Sequence, residues 1–242
     1  CLDALEAGGK GTITVAVACA MAGLVAGCIT STGLASKLIT VIVNVSGGHA
    51  IIALALTMLC CIVLGMGVPT TANYCIMAAT CAPILMDPSI GVTKMAAHFF
   101  VFYFGIVADI TPPVALAAYA GSAIAKSNPM KTGINATKLA IAAFIVPFIF
   151  AYNPQMLFEN VTSVFQIIQI VITALLGIFA VAAGLEGYIL RPMHWPLRVL
   201  AVIGGLTLLI PGTVSDLIGL VIVAGIIALQ VMQNKKAARE AV

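Results

Sequence analysis

The chain has 242 residues, of which 62% are hydrophobic and only 8% are charged, and its formal net charge is +3. Soluble domains carry roughly 25% charged residues, so the composition excludes a soluble enzyme or binding module, and the hydrophobicity excludes a disordered chain. The small net charge also argues against a nucleic acid as partner. We therefore expect a polytopic membrane protein whose main partner is membrane lipid.

The first apolar run extends from Thr12 to Ile29. Residue 1 is Cys and no basic segment precedes this run, so we do not expect a signal peptide and expect the chain to be a piece of a longer polypeptide. A mixed stretch follows, and its apolar residues have the spacing of one helix face, which is typical of an interfacial helix. These residues are Leu34, Leu38, Val41 and Val45. Residues 1–49 are thus predicted to form a transmembrane helix and an interfacial segment.

Two short apolar runs, Ala50–Leu64 and Ala72–Met86, flank a break that is rich in Gly, Pro and Thr. A helix of about 15 residues reaches about 22 Å, which is less than the hydrocarbon core of about 30 Å. Two arms of this length around a break favour a re-entrant helical hairpin over residues 50–86. Two tilted spans remain the alternative.

The next apolar segment, residues 95–125, contains one charged residue, Asp109, which is followed closely by Pro112 and Pro113. A double proline removes two backbone donors and disfavours helix at the preceding residue. The segment is therefore predicted to be a discontinuous transmembrane helix with the halves Met95–Val107 and Val114–Ala125.

A polar loop is predicted over residues 126–138, and the helix over 139–152 completes a transport-type region at 50–152. Residues 153–242 are predicted to form an accessory membrane region of three helices. Its apolar runs are Phe165–Leu185, Leu197–Ile210 and Val214–Met232. The basic residues Lys126, Lys131, Lys138, Arg191, Arg198, Lys235, Lys236 and Arg239 fall in alternate loops and the tail. The positive-inside rule then places the C-terminus in the cytoplasm.

Non-helical backbone is costly in a membrane unless it is buried in protein or lines a wet cavity, and transporters build their sites at such breaks. In the first break, Thr70, Thr71 and Asn73 offer oxygens without net charge, which suit a hard cation such as Na⁺. In the second break, Asp109 and Thr111 add a carboxylate and a hydroxyl. The role of the carboxylate stays open between ion ligand, proton carrier and helix cap. The sequence has no nucleophile motif, metal cluster or P-loop, so we expect neither an enzyme nor a cofactor.

The runs GMGVPTTANYCIMAATCAPIL and HFFVFYFGIVADITPPVALAAYAGSAIAKSNPMKTG closely resemble the large membrane subunit of TRAP transporters, the tripartite ATP-independent periplasmic family. The fused type, with both membrane subunits in one chain, is the most similar. Gly-x-Gly-x-Pro-Thr-Thr-Ala and Asp-Ile-Thr-Pro-Pro are the most specific parts. The resemblance implies an all-α fold, half of an elevator-type ion transporter, in which Gly65–Ala72 is a hairpin tip and Asp109–Pro113 a helix break.

The resemblance also implies that the two breaks flank one Na⁺ site and part of the substrate site. The implied Na⁺ ligands are Gly65, Gly67, Val68, Thr70, Thr71, Asn73, Gly105, Ala108, Asp109 and Thr111. The implied substrate ligands are Pro69, Thr70, Thr71, Asn73, Thr111, Pro112 and Pro113.

The function implied by the resemblance is Na⁺-coupled uptake of organic acids through the bacterial inner membrane. The implied partners are a periplasmic substrate-binding protein, a small membrane subunit and an N-terminal half that this chain does not contain. Both breaks lack a basic residue for a carboxylate substrate, so helix N-termini would have to take that role. A proton-coupled transporter, a channel and a non-transporting scaffold subunit remain alternatives.

Overall fold

The computed structural model describes residues 2–240, except for the side chains at positions 2, 7, 11, 14, 15, 18, 19, 22, 26, 29, 30, 35, 36, 233 and 235–240. This described part is helical and has no β-strand beyond an isolated bridge between Tyr188 and Pro192. It includes three helical stretches that are long and apolar enough to cross a membrane. They are Pro129–Tyr152, Val164–Glu186 and Thr213–Met232. The all-α polytopic class predicted from the sequence is confirmed.

The chain divides into two compact units, Cys1–Ala151 and Tyr152–Val242, called unit 1 and unit 2 below. Unit 1 begins with the helices α1 (Leu2–Ser31) and α2 (Leu34–Ser46). Glycines in the left-handed backbone conformation bound α2 on both sides. Three residues of the predicted apolar face of α2 are exposed, whereas Ile42 and Ser46 are buried. That face is therefore free to contact lipid.

The two arms flanking the first break are α3 (Ala50–Gly65) and α4 (Thr70–Thr80). Residues 66–69 between them are non-helical, and Gly67 has a positive φ of 75°. The prediction of one continuous second arm over residues 72–86 is wrong, because the helix is interrupted at Cys81 and resumes as α5 (Ala82–Leu85). Pro83 explains the interruption, since it has no N–H with which to continue the bonding pattern of α4.

The second break lies between α6 (Lys94–Val107) and α7 (Leu116–Ile124). A 3-10 turn at Ala108–Ile110 follows α6, and residues 111–115 are non-helical. Thr111 is extended, with φ −105° and ψ 124°, as expected for a residue before proline. The two half-helices agree with the predicted ones to within two residues at each end.

The polar loop predicted over residues 126–138 is largely wrong, because Pro129–Leu139 forms the helix α8. The Asn128 side chain accepts a hydrogen bond from the Lys131 N–H at 3.1 Å, and Pro129 occupies the first turn. An Asn cap followed by Pro is a strong helix start. The next helix, α9 (Ile141–Tyr152), follows after one residue.

Unit 2 consists mainly of α10 (Val164–Glu186), α11 (Trp195–Leu209) and α12 (Thr213–Glu240). Glycines bring α10 and α11 into backbone contact: a Cβ added at Gly205 would lie 2.6 Å from the carbonyl oxygen of Gly177. The α12 backbone continues through the predicted charged tail. The side chains of Lys235, Lys236 and Arg239 lie outside the described residues.

Candidate functional site

Asn73 connects the two breaks of unit 1. It lies in the first turns of α4, is 2% exposed, and its Nδ2 donates a hydrogen bond of 3.0 Å to the carbonyl oxygen of Gly105 in α6. The two residues are 32 positions apart in the sequence. The bond therefore joins the hairpin to the broken helix through one buried amide.

Two glycines make room for this amide. A Cβ at Gly65 would lie 2.8 Å from Asn73 Nδ2, and a Cβ at Gly105 would lie 3.1 Å from the same atom. The Gly65 Cβ would also approach the Ala108 Cβ at 3.1 Å. Glycine at these positions is thus a requirement of close packing, since any side chain would displace the Asn73 amide.

The oxygen of the Asn73 amide has no partner among the described residues. Its Oδ1 is buried and accepts no hydrogen bond from the described residues. An unsatisfied buried acceptor costs about 1–3 kcal/mol, so such atoms are rare in folded proteins and require an explanation. A cation bound at Oδ1 would remove this cost.

Two helix C-termini meet next to Asn73. Gly65 ends α3 and Val107 ends α6, and α3 packs against both α6 and the turn at Ala108–Ile110. The last carbonyl groups of an α-helix lack intrahelical partners, and the helix dipole makes this end negative. The site therefore combines an unpartnered amide oxygen with two partly negative helix ends, which is an environment for a cation.

The structure brings four of the predicted site residues together: Gly65, Asn73, Gly105 and Ala108. The other residues of the first break join this group only through backbone: the Val68 N–H donates to the Gly65 carbonyl at 3.4 Å, and the Pro69 carbonyl accepts from the Asn73 N–H at 2.9 Å. The exposed residues are Gly67, Pro69, Thr70 and Thr71, and Val68 is half-buried. Thr70 and Thr71 form the first turn of α4, where free backbone N–H groups point away from the helix.

The predicted residues of the second break are partly accessible. Asp109 is half-buried, and its carboxylate has no hydrogen-bond or ion-pair partner among the described side chains. The Thr111 hydroxyl donates a hydrogen bond of 2.7 Å to the Val107 carbonyl, which leaves its oxygen lone pairs available. Pro112 is half-buried and Pro113 is exposed.

The second break is held by residues that sequence reasoning missed. Thr137 in α8 donates to the Ile110 carbonyl at 3.2 Å, and Tyr119 in α7 donates to the Pro113 carbonyl at 2.7 Å. A Cβ at Gly133 would lie 3.1 Å from the Pro112 ring. These contacts fix the break from the side of α7 and α8, and no motif in the sequence pointed to them.

A further contact joins α4 to α6 at the residue next to Asn73. The Tyr74 hydroxyl and His98 Nδ1 lie 3.1 Å apart, and the Tyr74 ring meets the Phe102 ring edge-on at a centroid distance of 5.7 Å. Met77, one turn of α4 after Asn73, is fully buried against Gly105. Contacts at Asn73, Tyr74 and Met77 thus hold the first turns of α4 against α6.

Comparison with known proteins gives a family for the part of the chain that contains both breaks. Residues 1–165 match the family described as "Tripartite ATP-independent periplasmic transporter, DctM component". Neither the curated proteins nor the solved structures contain a match to the chain.

Proposed function

Because the chain belongs to the family of the DctM component of tripartite ATP-independent periplasmic transporters, we propose that it takes part in Na⁺-coupled uptake of organic acids. The family assigns it to the permease of a secondary transporter, which is a multi-pass membrane component. The coupling ion and the substrate class rest on the arguments that follow.

The observation that carries the Na⁺ proposal is the unpartnered Oδ1 of Asn73. Na⁺ prefers hard oxygen ligands, and unwound carbonyls and half-helix C-termini serve as such ligands in transporters. Gly65 and Gly105, at the ends of α3 and α6, supply this kind of backbone next to Asn73. We assign Na⁺ to the space between these helix ends, with the carbonyl oxygens of Gly67, Val68 and Ala108 as further ligands.

The substrate carboxylate is proposed to bind on the other side of the two breaks. Thr70 and Thr71 begin α4, and the non-helical segment that contains Thr111 leads into α7. Helix N-termini carry unpaired N–H groups and a partial positive charge, which attract anions. The N-terminal ends of α4 and α7 would therefore attract an anion, whereas the C-terminal ends of α3 and α6 would attract a cation.

The contacts around Asn73 also suggest how ion and substrate move together. The amide bond to Gly105 and the packing of Gly65 against Ala108 tie the hairpin to the broken helix. We propose that these elements move as one body in an elevator cycle, against a scaffold supplied by the N-terminal half and the small subunit. A periplasmic binding protein would deliver the substrate to this body, and the C-terminus would lie in the cytoplasm of an inner-membrane protein.

Hydrogen exchange of the purified full chain tests the Na⁺ site directly. Peptides covering residues 62–74 and 104–113 are followed in NaCl and in choline chloride at equal ionic strength. Na⁺ is expected to slow exchange in both segments, and Asn73→Leu is expected to remove the effect because the variant lacks the amide oxygen. Asn44→Leu, at an exposed position in α2, is the control. Equal exchange in both salts would reject a Na⁺ site between the breaks.

Coupling is tested by uptake of radiolabelled mono- and dicarboxylates into proteoliposomes that contain the complete transporter with its partners. Replacement of Na⁺ by choline at fixed pH is expected to abolish uptake. Uptake that persists would reject Na⁺ coupling. Uptake that follows a pH gradient and is lost in Asp109→Asn would assign proton coupling to that carboxylate instead.

A further inference from the structure

Unit 2 contains a polar cavity of about 190 Å³ next to the N-termini of α10 and α12. Its wall is rich in amide and hydroxyl groups, which is unusual in a unit made of apolar helices. The polar side chains that line it are Gln155, Asn160, Gln166, Gln169, Thr213 and Asp216.

Asp216 is the charged residue of this wall. It is 7% exposed, and its Oδ2 accepts a hydrogen bond of 2.6 Å from Gln169 Nε2. Its Oδ1 is buried and has no hydrogen-bond partner among the described residues. One carboxylate oxygen is thus held in place by α10, while the other has no partner among the described residues, in a side chain that lines the cavity.

The backbone around Asp216 is well ordered by local bonds. Its N–H donates to the Gly212 carbonyl at 2.9 Å, and the Ser215 hydroxyl donates to the carbonyls of Ile210 and Gly212 at 2.8 and 2.9 Å. The carboxylate lies in the first turn of α12, where the helix dipole favours a negative charge.

No basic side chain of these segments neutralises Asp216. The sequence contains no Lys or Arg between residues 139 and 190 or between 199 and 234, and the cavity wall is drawn from these two stretches. A buried charge without a counter-charge is strongly unfavourable. A bound cation would supply the counter-charge that these two stretches lack.

We propose that the cavity binds a monovalent metal cation, Na⁺ or K⁺, on Asp216 Oδ1. Amide oxygens of Gln155, Asn160 or Gln166 and a few waters complete the coordination, since about 30 Å³ per water leaves room for several in this volume. One carboxylate among neutral amides matches a charge of +1, whereas tight divalent sites use more carboxylates. The cation links the N-terminal ends of α10 and α12, and it is separate from the Na⁺ site proposed in unit 1.

The test uses hydrogen exchange of the full chain on peptides covering residues 155–170 and 211–220. We expect NaCl or KCl to slow exchange in both segments at least threefold relative to choline chloride at equal ionic strength. Asp216→Asn is expected to lose this protection, whereas Asn73→Leu, in unit 1, is expected to retain it. The half-saturating concentrations of Na⁺ and K⁺ identify the preferred ion.

A second variant protects the test against a folding defect in Asp216→Asn. Gln166→Leu keeps the carboxylate and removes one amide oxygen, so it is expected to raise the half-saturating cation concentration severalfold. Protection that is equal in choline chloride, or unchanged in Asp216→Asn, would overturn the proposal. Protection by micromolar Ca²⁺ that exceeds that of Na⁺ and K⁺ would overturn the monovalent assignment.

Discussion

The two units use glycine for opposite purposes. In unit 1, Gly65 and Gly105 leave room for the polar amide of Asn73 at the ends of broken helices. In unit 2, Gly177 and Gly205 let two unbroken helices meet backbone to backbone. The same residue type thus makes room for a polar amide in one unit and for the close packing of two helices in the other. A similar glycine content in two units therefore does not imply a similar function. The atoms that each glycine contacts distinguish the two uses.

The largest expected effect is on the packing of unit 2. Gly205→Val places a branched side chain where a Cβ alone would lie 2.6 Å from the Gly177 carbonyl and 2.7 Å from Val181 Cγ2. Overpacking typically costs 1–3 kcal/mol, and rigid backbone opposes relaxation here, so we expect a loss of about 3 kcal/mol. Thermal unfolding in detergent measures it.

Gly225→Val is the matched control for this prediction, because a Cβ at Gly225 has no atom within 4 Å. Both variants place the same β-branched residue in a helix, so the difference between them isolates the packing. A loss in Gly205→Val no larger than in Gly225→Val would show that α10 and α11 do not depend on backbone contact.

A smaller change in stability but a specific change in ion binding is expected at the polar site. Gly65→Ala places its Cβ 2.8 Å from Asn73 Nδ2, so the flexible amide must move and its bond to Gly105 breaks. We expect a loss of about 1 kcal/mol in stability and a roughly tenfold rise in the half-saturating Na⁺ concentration for residues 62–74, equivalent to about 1.4 kcal/mol.

Gly121→Ala serves as the control for Gly65→Ala, since its added methyl group meets no atom within 4 Å. It is expected to leave Na⁺ protection of residues 62–74 unchanged. Equal Na⁺ protection in Gly65→Ala and in the unsubstituted chain would show that the Asn73 amide is not part of the ion site.

The smallest effect is expected where a neighbouring helix holds the second break. Thr137→Val removes the hydrogen bond of 3.2 Å to the Ile110 carbonyl and keeps the side-chain volume. We expect a loss of about 1 kcal/mol and faster hydrogen exchange in residues 108–115. Thr132→Val, which removes a bond within the first turn of α8, should leave those residues unchanged. Identical exchange at 108–115 in both variants would contradict the role of Thr137.

The positions of both helix breaks could be predicted because they depend on local chemistry. Pro112 and Pro113 lack backbone donors, and the Gly-Val-Pro sequence at residues 67–69 disfavours helix in any surroundings. The lengths of α10 and α12 could be predicted from their apolar runs in the same way, since a helix in lipid must be continuous and apolar. These features follow from a few neighbouring residues and need no knowledge of tertiary contacts.

The rest of the site depends on distant contacts, and the sequence carries little signal for them. Asn73 was predicted as an oxygen donor, but its bond to Gly105 joins residues on separate helices, as does the bond from Thr137 to Ile110. The helix α8 was missed because its polar residues suggested a loop, although Asn128 and Pro129 form a helix start. The interruption at Cys81 is hard to predict because the apolar run 72–86 favours one continuous helix, and only Pro83 opposes it.

The close approach of α10 and α11 has a consequence for how unit 2 enters the membrane. With 15 residues, α11 reaches about 22 Å and is too short to span a bilayer upright by itself. Arg198 near its start donates to the carbonyls of Gly184 and Leu185 at the end of α10, which removes much of the desolvation penalty of that charge. We therefore expect the two helices to leave the insertion machinery together as a preassembled pair during biogenesis, with α10 acting as the intramolecular chaperone of α11.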